Sequence, residues 1–563
     1  MAKALKGETL NGWRDANQRF KDSTHLYDEE VLGGVLEPLK LSYDYLKKGI
    51  NQMTGNHIQM CFLLCSLFPE DEEILIEILI MCGIGVGLFP NFYSIEDKRK
   101  KIVEALKKLQ KSGLLLETDG ADTIRIHDVI RDFAHWITST GENRFMVKDT
   151  LEEWPHMDES YTAIALWNCS SIIKKFPDKV EFSKLKTLFL EGERKRNPDY
   201  FLVVFGTFFE EMKALQVLLL KHVSFSLKGF PSSPNLKTLW CHDCMLENFS
   251  SSLTNMRSLE ILALIGTKND GINEELLKLS TLKYLRLSGV VQIVPLLPQP
   301  NLVSRQIIPE YFYYYPTDEG IIFPSGLVSR LTSLQELHVI PKNNLNLLEL
   351  KSLSRLTALS LRLSTNQIPL EDFVLPKLQR YAINREAFRT LDIQDFSSSL
   401  SAFNNLFFNV EELNLRNVGG QKNIVPSIDE MGVNELTSLQ LKSCNDMEFL
   451  IDTKNDQEST VAFSNLVELI IESMGSLKGL CYGVSLTRFL QNLKQVIIKY
   501  CKELQVIFQM DKLSEKKKCQ TPLLSNLTIL VLYLLPKLES IYMEIGAITS
   551  CNCKPPKSKG CEH

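Results

Sequence analysis

Apolar residues recur along the last two-thirds of the chain in a six-position frame, L-x-x-L-x-L. The fourth and sixth positions alternate with polar or variable ones, so a short strand buries one face and exposes the other. A single unit cannot bury its apolar face alone, which predicts that the units stack. Regular copies begin at Leu185, Leu215, Leu236, Leu259, Leu282, Leu334, Leu356, Leu378, Val410, Leu436, Leu466, Leu493 and Leu527, and degenerate copies begin at Tyr161 and Leu302.

The spacing of these copies indicates the kind of array that they form. Successive copies begin about 20 to 34 residues apart, which brackets the period of leucine-rich repeats. We therefore expect residues 158–545 to form a curved leucine-rich-repeat solenoid whose strands line its inner side. The uneven spacing predicts a convex side of loops and scattered helical turns. The segment Tyr311–Asp318 sits inside a long repeat and is expected to loop out.

Residues 36–150 lack this frame and read as helices followed by a hairpin. Helices are predicted near 36–46, over 58–67, opening at the acidic run 70–73, and around 102–109 up to Gly113. The Asp119-Gly120 turn between two apolar runs predicts the hairpin, and an amphipathic helix follows from Val129. This order is the outline of a winged helix. The predicted fold class is thus α/β, a helical winged-helix-like domain followed by the solenoid.

Composition narrows the class of protein further. The chain has 563 residues, 44% of them hydrophobic and 23% charged, with a net charge of −5. These values are ordinary for a folded chain, and they do not indicate nucleic acid as a partner. The stretch Ile74–Phe89 is apolar but too short, and interrupted by Glu77, to span a membrane. Since no export signal precedes the 13 cysteines, we expect free thiols and a cytoplasmic protein.

Three motifs, in order, resemble those of plant disease-resistance proteins of the coiled-coil, nucleotide-binding (NB-ARC), leucine-rich-repeat family. The segment Leu39–Leu46 resembles the start of the family's winged-helix part, and Cys61–Pro69 resembles its "CFLYCSLFP" segment. The tripeptide Ile126-His127-Asp128 stands where the family has Met-His-Asp. The resemblance covers nearly all of the chain up to about residue 545. It implies an intracellular immune receptor that recognises a pathogen effector or a guarded host protein.

The resemblance also implies a nucleotide switch that holds ADP at rest and ATP when active. By motif position, His127 would contact the phosphates of ADP and Asp128 would steady the turn beside it. The family's G-x-x-x-x-G-K-[ST] phosphate loop is absent, because none of the 28 glycines precedes a lysine, and the chain has no Asp-Asp pair. We therefore expect a truncated receptor with no coiled coil or phosphate-loop domain, in which residues 1–35 are a remnant of the helical subdomain. We expect no tight nucleotide binding and no enzymatic activity.

Two other motifs have a chemical and a structural interpretation. With Asp132 and His135 nearby, His127-Asp128 could be a metal doublet, but too few histidines are available to complete such a site. The segment Cys241–Cys244 looks like half a zinc site. However, Cys244 occupies the ninth position of its repeat, as do Cys169, Cys444 and Cys501, which favours a structural role. The cysteines and histidine of residues 546–563 lie in a segment expected to be a disordered tail.

The outward-facing strand positions are the candidate partner surface. Near the start of the array they include Phe189, Trp240 and Tyr284, with Trp167 one position further along its strand. Exposed aromatic residues are typical binding anchors, but the alternative is that the preceding domain covers them. Later outward positions are basic, which fits an acidic partner or a solvated face; they are Arg286, Arg380, Arg416, Lys442 and Lys499.

The short connection at 150–158 predicts that the helical domain packs against the solenoid. Two other classes stay open, a leucine-rich-repeat scaffold or adaptor unrelated to immunity, and a signalling ATPase if a longer product has the phosphate loop.

Overall fold

The structure is a computed structural model of the chain. It describes residues 36–545 with internal gaps, of which the longer ones are 171–179, 294–313, 362–373, 453–462, 483–491 and 512–525. The chain divides into an N-terminal unit, Met1–Arg362, and a C-terminal unit, Leu363–His563. The proposed remnant at 1–35, the degenerate repeat at Leu302 and the tail at 546–563 lie outside the described residues.

The N-terminal unit begins with a helical domain built around a small sheet. Its helices are α1 Glu37–Tyr45, α2 Gly55–Cys65, α3 Ile76–Gly85, α4 Ile95–Lys111 and α5 Asp128–Thr138. The strands β1 Ile74–Leu75, β2 Leu116–Glu117 and β3 Thr123–Arg125 pair antiparallel in the order β1-β3-β2. The predicted hairpin is therefore confirmed as β2 and β3. The helices and hairpin match the predicted order, while the winged-helix assignment itself stays a prediction.

The repeats of the N-terminal unit form a parallel sheet in the order β4-β5-β6-β8-β10-β12-β13-β16-β17. Its strands are β4 Phe145–Lys148, β5 Ala163–Cys169, β6 Thr187–Gly192, β8 Val217–Lys221, β10 Thr238–His242, β12 Ile261–Ile265, β13 Tyr284–Ser288, β16 Glu336–Ile340 and β17 Ala358–Leu361. The fourth frame positions lie side by side, so that Leu218, Leu239 and Leu262 are direct partners. This register stacks the apolar side of every repeat into one core.

Shorter elements connect these strands. A second parallel sheet is formed by β7 Leu202–Phe205, β9 Val223–Ser226 and β11 Met245–Glu247. The connections also contain the short helix α6 Phe249–Ser252 and 3-10 turns at Gly206–Phe209, Leu253–Asn255, Glu274–Lys278, Val328–Arg330 and Leu347–Ser352. Within the long repeat, β14 Val291–Ile293 pairs antiparallel with β15 Tyr314–Pro316. The segment expected to loop out thus contributes a strand of its own.

The C-terminal unit repeats the same arrangement. Its main sheet has the order β18-β19-β20-β21-β23-β25-β27, with all the described pairs parallel. The strands are β18 Arg380–Ile383, β19 Thr390–Gln394, β20 Glu412–Arg416, β21 Ser438–Lys442, β23 Glu468–Glu472, β25 Gln495–Lys499 and β27 Ile529–Tyr533. The pairs β22 Ile451–Asp452 with β24 Cys481–Tyr482, and β26 Val506–Asp511 with β28 Ser540–Ile545, complete the unit together with the short helix α7 Asn404–Phe407 and a 3-10 turn at Leu400–Phe403.

The eighth position of most repeats has a left-handed backbone. The φ angle is positive at Asn168, His222, Asp243, Asn417 and Ser443, among others, although none of these is a glycine. Asn and Asp tolerate this region best, because their short polar side chains bond locally. The same peptide units continue the hydrogen-bond ladder, as when the amide of Ser443 donates to the carbonyl of Glu472. The left-handed residue therefore turns the chain out of the sheet at the same place in each repeat.

Three sequence expectations are corrected. The third helix begins at Ile76, with Glu77 as the acid in its first turn, so the acids at 70–73 lie before it. The repeat sheet begins at Phe145 and not at residue 158, because β4 pairs in parallel with β5. The frame also missed β19, whose repeat has Phe388 in place of the first leucine and follows β18 after an unusually short connection.

Candidate functional site

The third, fifth and seventh positions of each frame point away from the repeat core, and in the N-terminal unit this outward face is covered. Trp167, Phe189, Trp240 and Tyr284 are between 0% and 2% exposed, and they belong to one apolar cluster with the helical domain. The expectation that they form an exposed partner surface is therefore wrong in this structure. The alternative is correct, since the preceding domain covers them. The apolar outward face of these strands is therefore buried against the helical domain of the same chain.

The contacts of the four aromatic residues show how the covering is achieved. The indole Nε1 of Trp167 donates to the carbonyl of Leu67 at 2.7 Å, which closes the end of the Cys61–Pro69 motif onto β5. The ring of Phe68 lies 5.5 Å from Trp167 and 5.4 Å from Phe189, measured between centroids. Further along, Trp240 stacks on Tyr284 at 6.4 Å. The motif that resembles the family's "CFLYCSLFP" segment thus packs against the first two repeats.

Helix α3 lies directly on the strands. The hydroxyl of Thr238 donates to the carbonyl of Met81 at 3.1 Å. A Cβ on Gly85 would come within 2.5 Å of both the Thr238 hydroxyl and a methyl group of Val217. The absence of a side chain at Gly85 lets the helix approach the third positions of β8 and β10 this closely. The apolar run Ile74–Phe89 therefore contains strand β1 and the largely buried helix α3.

A buried ion cluster joins α4 to β16. The Arg99 guanidinium donates to both oxygens of Glu77, one of them 3.0 Å away, and to Glu336 at 2.8 Å. Burial opposes the charge of Arg99, but the carboxylates of Glu336 and Glu77 outweigh it and hold its pKa above the usual value. The amide of Ile95 donates to the side chain of Gln335 at 2.7 Å beside this cluster. No sequence pattern pairs Arg99 with Glu336, because the two residues are 237 positions apart along the chain.

His127 and Asp128 lie at the N-terminus of α5, where both side chains face solvent. Their side chains are 54% and 49% exposed and contact each other. His127 is the N-cap of α5, and its Nδ1 accepts from the amide of Val129 at 3.3 Å, while Asp128 accepts from the same amide at 2.6 Å. These contacts cap the helix. They leave the imidazole open to solvent on its other side.

The metal interpretations gain no support among the described residues. There, no group of three or more His, Cys, Asp or Glu side chains is placed to hold a metal ion. His135 bonds the carbonyl of Ser66 at 2.9 Å, and burial lowers its pKa. The nine cysteines that the structure describes are free and buried, and burial raises the pKa of Cys61 and of Cys169 to about 12. Such thiols are structural and unreactive.

The outward face of the C-terminal unit differs along its last strands. The outward positions Ala382, Thr390, Asp392 and Asn414 of β18, β19 and β20 are buried, whereas those of β21, β23, β25 and β27 are half-buried or exposed. At the fifth positions, Ile470 and Ile497 are half-buried and Val531 is 38% exposed. The expected basic residues Arg416 and Lys442 are exposed at the seventh positions and Lys499 is half-buried. Arg286 and Arg380, which were grouped with them, are half-buried. The polar character expected of the later repeats is thus combined with an apolar centre.

No helix within the described part of the chain is long and apolar enough to cross a membrane. Together, the strands and their covering define a leucine-rich-repeat protein with a helical domain seated on its first repeats. A model of the repeats of plant disease-resistance proteins, described as RPS2-like, matches residues 457–552. By this match and those that follow, the chain is similar to plant disease-resistance proteins.

The relatives come from Arabidopsis thaliana. The chain is 26% identical to Disease resistance protein At4g27190, over 90% of this chain and 54% of that protein. It is 26% identical to Probable disease resistance protein At1g61300, over 90% of this chain and 55% of that protein. With Disease resistance protein RFL1 the identity is 28%, over 53% of this chain and 34% of that protein. The chain therefore spans about half the length of the relatives that match most of it.

Solved structures similar to the chain include other repeat proteins. A leucine-rich-repeat protein of Leptospira interrogans matches with 14% identity and a TM-score of 0.36, over 68% of this chain and 90% of that one. The plant peptide hormone receptor RGFR1 in complex with RGF2 matches with 16% identity and a TM-score of 0.33, over 68% and 56%. These TM-scores are too low to add to the assignment made from the strands.

Proposed function

We propose that the chain acts in plant disease resistance by recognising a protein partner through its C-terminal repeats. The single observation that carries this proposal is the contrast between the two outward faces. In the N-terminal unit the face of the first repeats is buried under the helical domain, and in the C-terminal unit the outward positions of β21, β23, β25 and β27 are half-buried or exposed. An external protein can therefore bind to the second face without displacing anything described there. The names of the relatives support disease resistance as its setting.

The helical domain has a different role in this proposal. It is the intramolecular partner of the first repeats, held by the Arg99 cluster and the Trp167 contact. Because this face of the domain is buried against the first repeats, we assign recognition of the partner to the C-terminal repeats. The place of action that we propose is the cytoplasm, on the strength of the resemblance. We propose no catalytic role, because the chain lacks the phosphate loop that a signalling ATPase needs.

Genetic complementation tests the proposed function. In the source plant, inactivating the gene is expected to increase the growth of at least one pathogen isolate from a panel, and expressing this chain in that line is expected to reduce it again. A change in growth or development, with pathogen growth unaltered across the panel, would instead favour the non-immune scaffold.

We also propose that the chain does not hold ADP or ATP tightly. The exposed imidazole of His127 offers one hydrogen bond to a phosphate, and Asp128 is occupied at the helix cap. One such bond contributes about 0.5–3 kcal/mol, whereas micromolar binding needs about 8 kcal/mol. Calorimetric titration with ADP is expected to give no saturable heat. Stoichiometric ADP released on denaturing the purified protein would contradict this expectation.

A further inference from the structure

We propose that the outward face of strands β20, β21, β23, β25 and β27 binds an amphipathic α-helix of the partner, one flank of which is acidic. This inference rests on the proposed function and specifies which surface and which kind of segment carry it out. The three outward positions of each strand form three rows across the sheet, because the strands are in register. The chemistry of these rows identifies the occupant.

The middle row is apolar over the last three strands, where Ile470, Ile497 and Val531 are neighbours at the fifth position. On β20 and β21 the row is polar, with Asn414 buried and Gln440 half-buried. Neighbouring strands are about 4.8 Å apart. Apolar side chains on one face of a helix recur at about one turn, or 5.4 Å. A helix that crosses the strands therefore matches this row residue by residue, while an extended segment, whose same-side residues recur at about 6.6 Å, does not.

The two outer rows differ in charge. The seventh positions are Arg416, Lys442, Glu472, Lys499 and Tyr533, so that three bases share the row with one acid, and Glu472 pairs with Lys442 at 3.1 Å. The third positions include Glu412, which is exposed, and Glu468. Glu468 accepts hydrogen bonds from Ser438 at 3.0 Å and Gln495 at 2.8 Å. A helix whose apolar stripe lies along the middle row would thus face basic residues on one side and carboxylates on the other. A partner helix with acidic residues on one flank and basic residues on the other would therefore complement this face in charge.

The N-terminal unit supplies a precedent for this mode of binding. There, the apolar helix α3 lies on the equivalent face, and Thr238 at a third position donates to the carbonyl of Met81. The fifth positions beneath the helical domain are also apolar, among them Phe189, Leu219 and Trp240. The same strand geometry therefore already accepts a helix within this chain. The corresponding face of the C-terminal repeats has the apolar centre without a described occupant.

A peptide titration tests the proposal with the full chain. The probe is a fluorescein-labelled synthetic peptide of about 18 residues, or five turns, with a leucine stripe, glutamates on one flank and lysines on the other. A second peptide has the same stripe and flanks but two internal prolines, which prevent the helix. Fluorescence anisotropy is expected to show saturable binding of the helical peptide and none of the proline peptide. Equal binding of both would mean an extended partner and overturn the proposal, as would no saturable binding of the helical peptide.

Matched variants locate the binding. Val531→Asp places a charge in the middle row and is expected to weaken binding at least about tenfold, whereas Val374→Asp should change it by less than about twofold. Val374 is a fair control because it is 37% exposed, against 38% for Val531, and lies outside the strands. Lys499→Glu should also weaken binding, and Lys502→Glu, off this face, should not. Equal losses in each pair would overturn the proposal. Thermal melts establish that all four variants are folded.

The outcome also separates this inference from the proposed function. If the chain restores resistance but Val531→Asp binds the peptide as well as the unaltered chain does, the surface is wrong and the function stands. If the peptide binds as expected but the chain does not restore resistance, the surface stands and the function is wrong.

Discussion

Removing the buried charge of Arg99 is expected to loosen the helical domain from the first repeats. The guanidinium is nearly buried, and Glu336, which it contacts at 2.8 Å, is fully buried. In Arg99→Met, Glu336 and Glu77 would keep their burial and lose their cation. Breaking a buried pair in this way costs about 3–5 kcal/mol, because an uncompensated charge is left behind. The loss should fall on the contact between α4 and β16.

Arg125→Met is the matched control for this change. Arg125 makes a single contact with Glu73 at 3.0 Å, and both side chains are substantially exposed. Exposed pairs contribute about 0–1 kcal/mol, so the control should be nearly silent. The double variant Arg99→Met with Glu336→Gln should recover part of the loss, since it removes the stranded charge. A double-mutant cycle would then show a coupling energy between the two positions.

The assay is urea unfolding followed by tryptophan fluorescence. Trp167 and Trp240 are buried under the helical domain, so their emission reports its separation from the strands. We expect Arg99→Met to lose its native tryptophan emission at a clearly lower urea concentration than Arg125→Met does. If the two variants unfold at the same urea concentration, the argument from buried charge fails. If they differ but the double variant recovers nothing, Arg99 acts by packing and not through Glu336.

Two further predictions concern the same domain. Gly85→Ala should destabilise the protein by about 1–3 kcal/mol, because its new methyl group would meet Thr238 and Val217 at 2.5 Å. Gly83→Ala should destabilise it less, because its methyl group would meet the flexible end of Ile102 at 2.9 Å. If thermal melts show the reverse order, the packing of α3 on the strands does not limit the size of residue 85. Burial lowers the pKa of His135 in the folded state, so the unfolded chain binds the proton more readily. The stability that depends on neutral His135 is therefore present above the unfolded pKa of about 6.5 and lost as pH falls towards the folded pKa. His135→Gln should flatten that part of the stability profile, and an unchanged slope would contradict it.

Much of the architecture could be predicted because it depends on patterns among neighbouring residues. The alternation in each L-x-x-L-x-L frame selects strands, and the Asp119-Gly120 turn selects the hairpin, since both signals depend on neighbouring residues. The ninth-position cysteines are buried as the repeat pattern indicated, and Cys444 donates its thiol to the carbonyl of Leu415 at 3.5 Å. The frame failed where the local signal was altered, at the repeat that begins with Phe388. His127 and Asp128 lie at the start of α5, and the contact with ADP that the resemblance implies for them stays a prediction.

The sequence by itself determined which strand residues face the repeat core and which face outward, because period-two alternation is a property of the strand alone. It could not determine whether an outward face meets water or protein. Only the tertiary structure decided that Trp167, Phe189, Trp240 and Tyr284 are core residues, because the groups that cover them come from distant parts of the chain. The Trp167 contact joins residues 100 positions apart, and the Arg99 contact joins residues 237 apart. Burial depends on which surfaces come into contact once the chain has folded, and the residues next to a position in the sequence do not determine that contact.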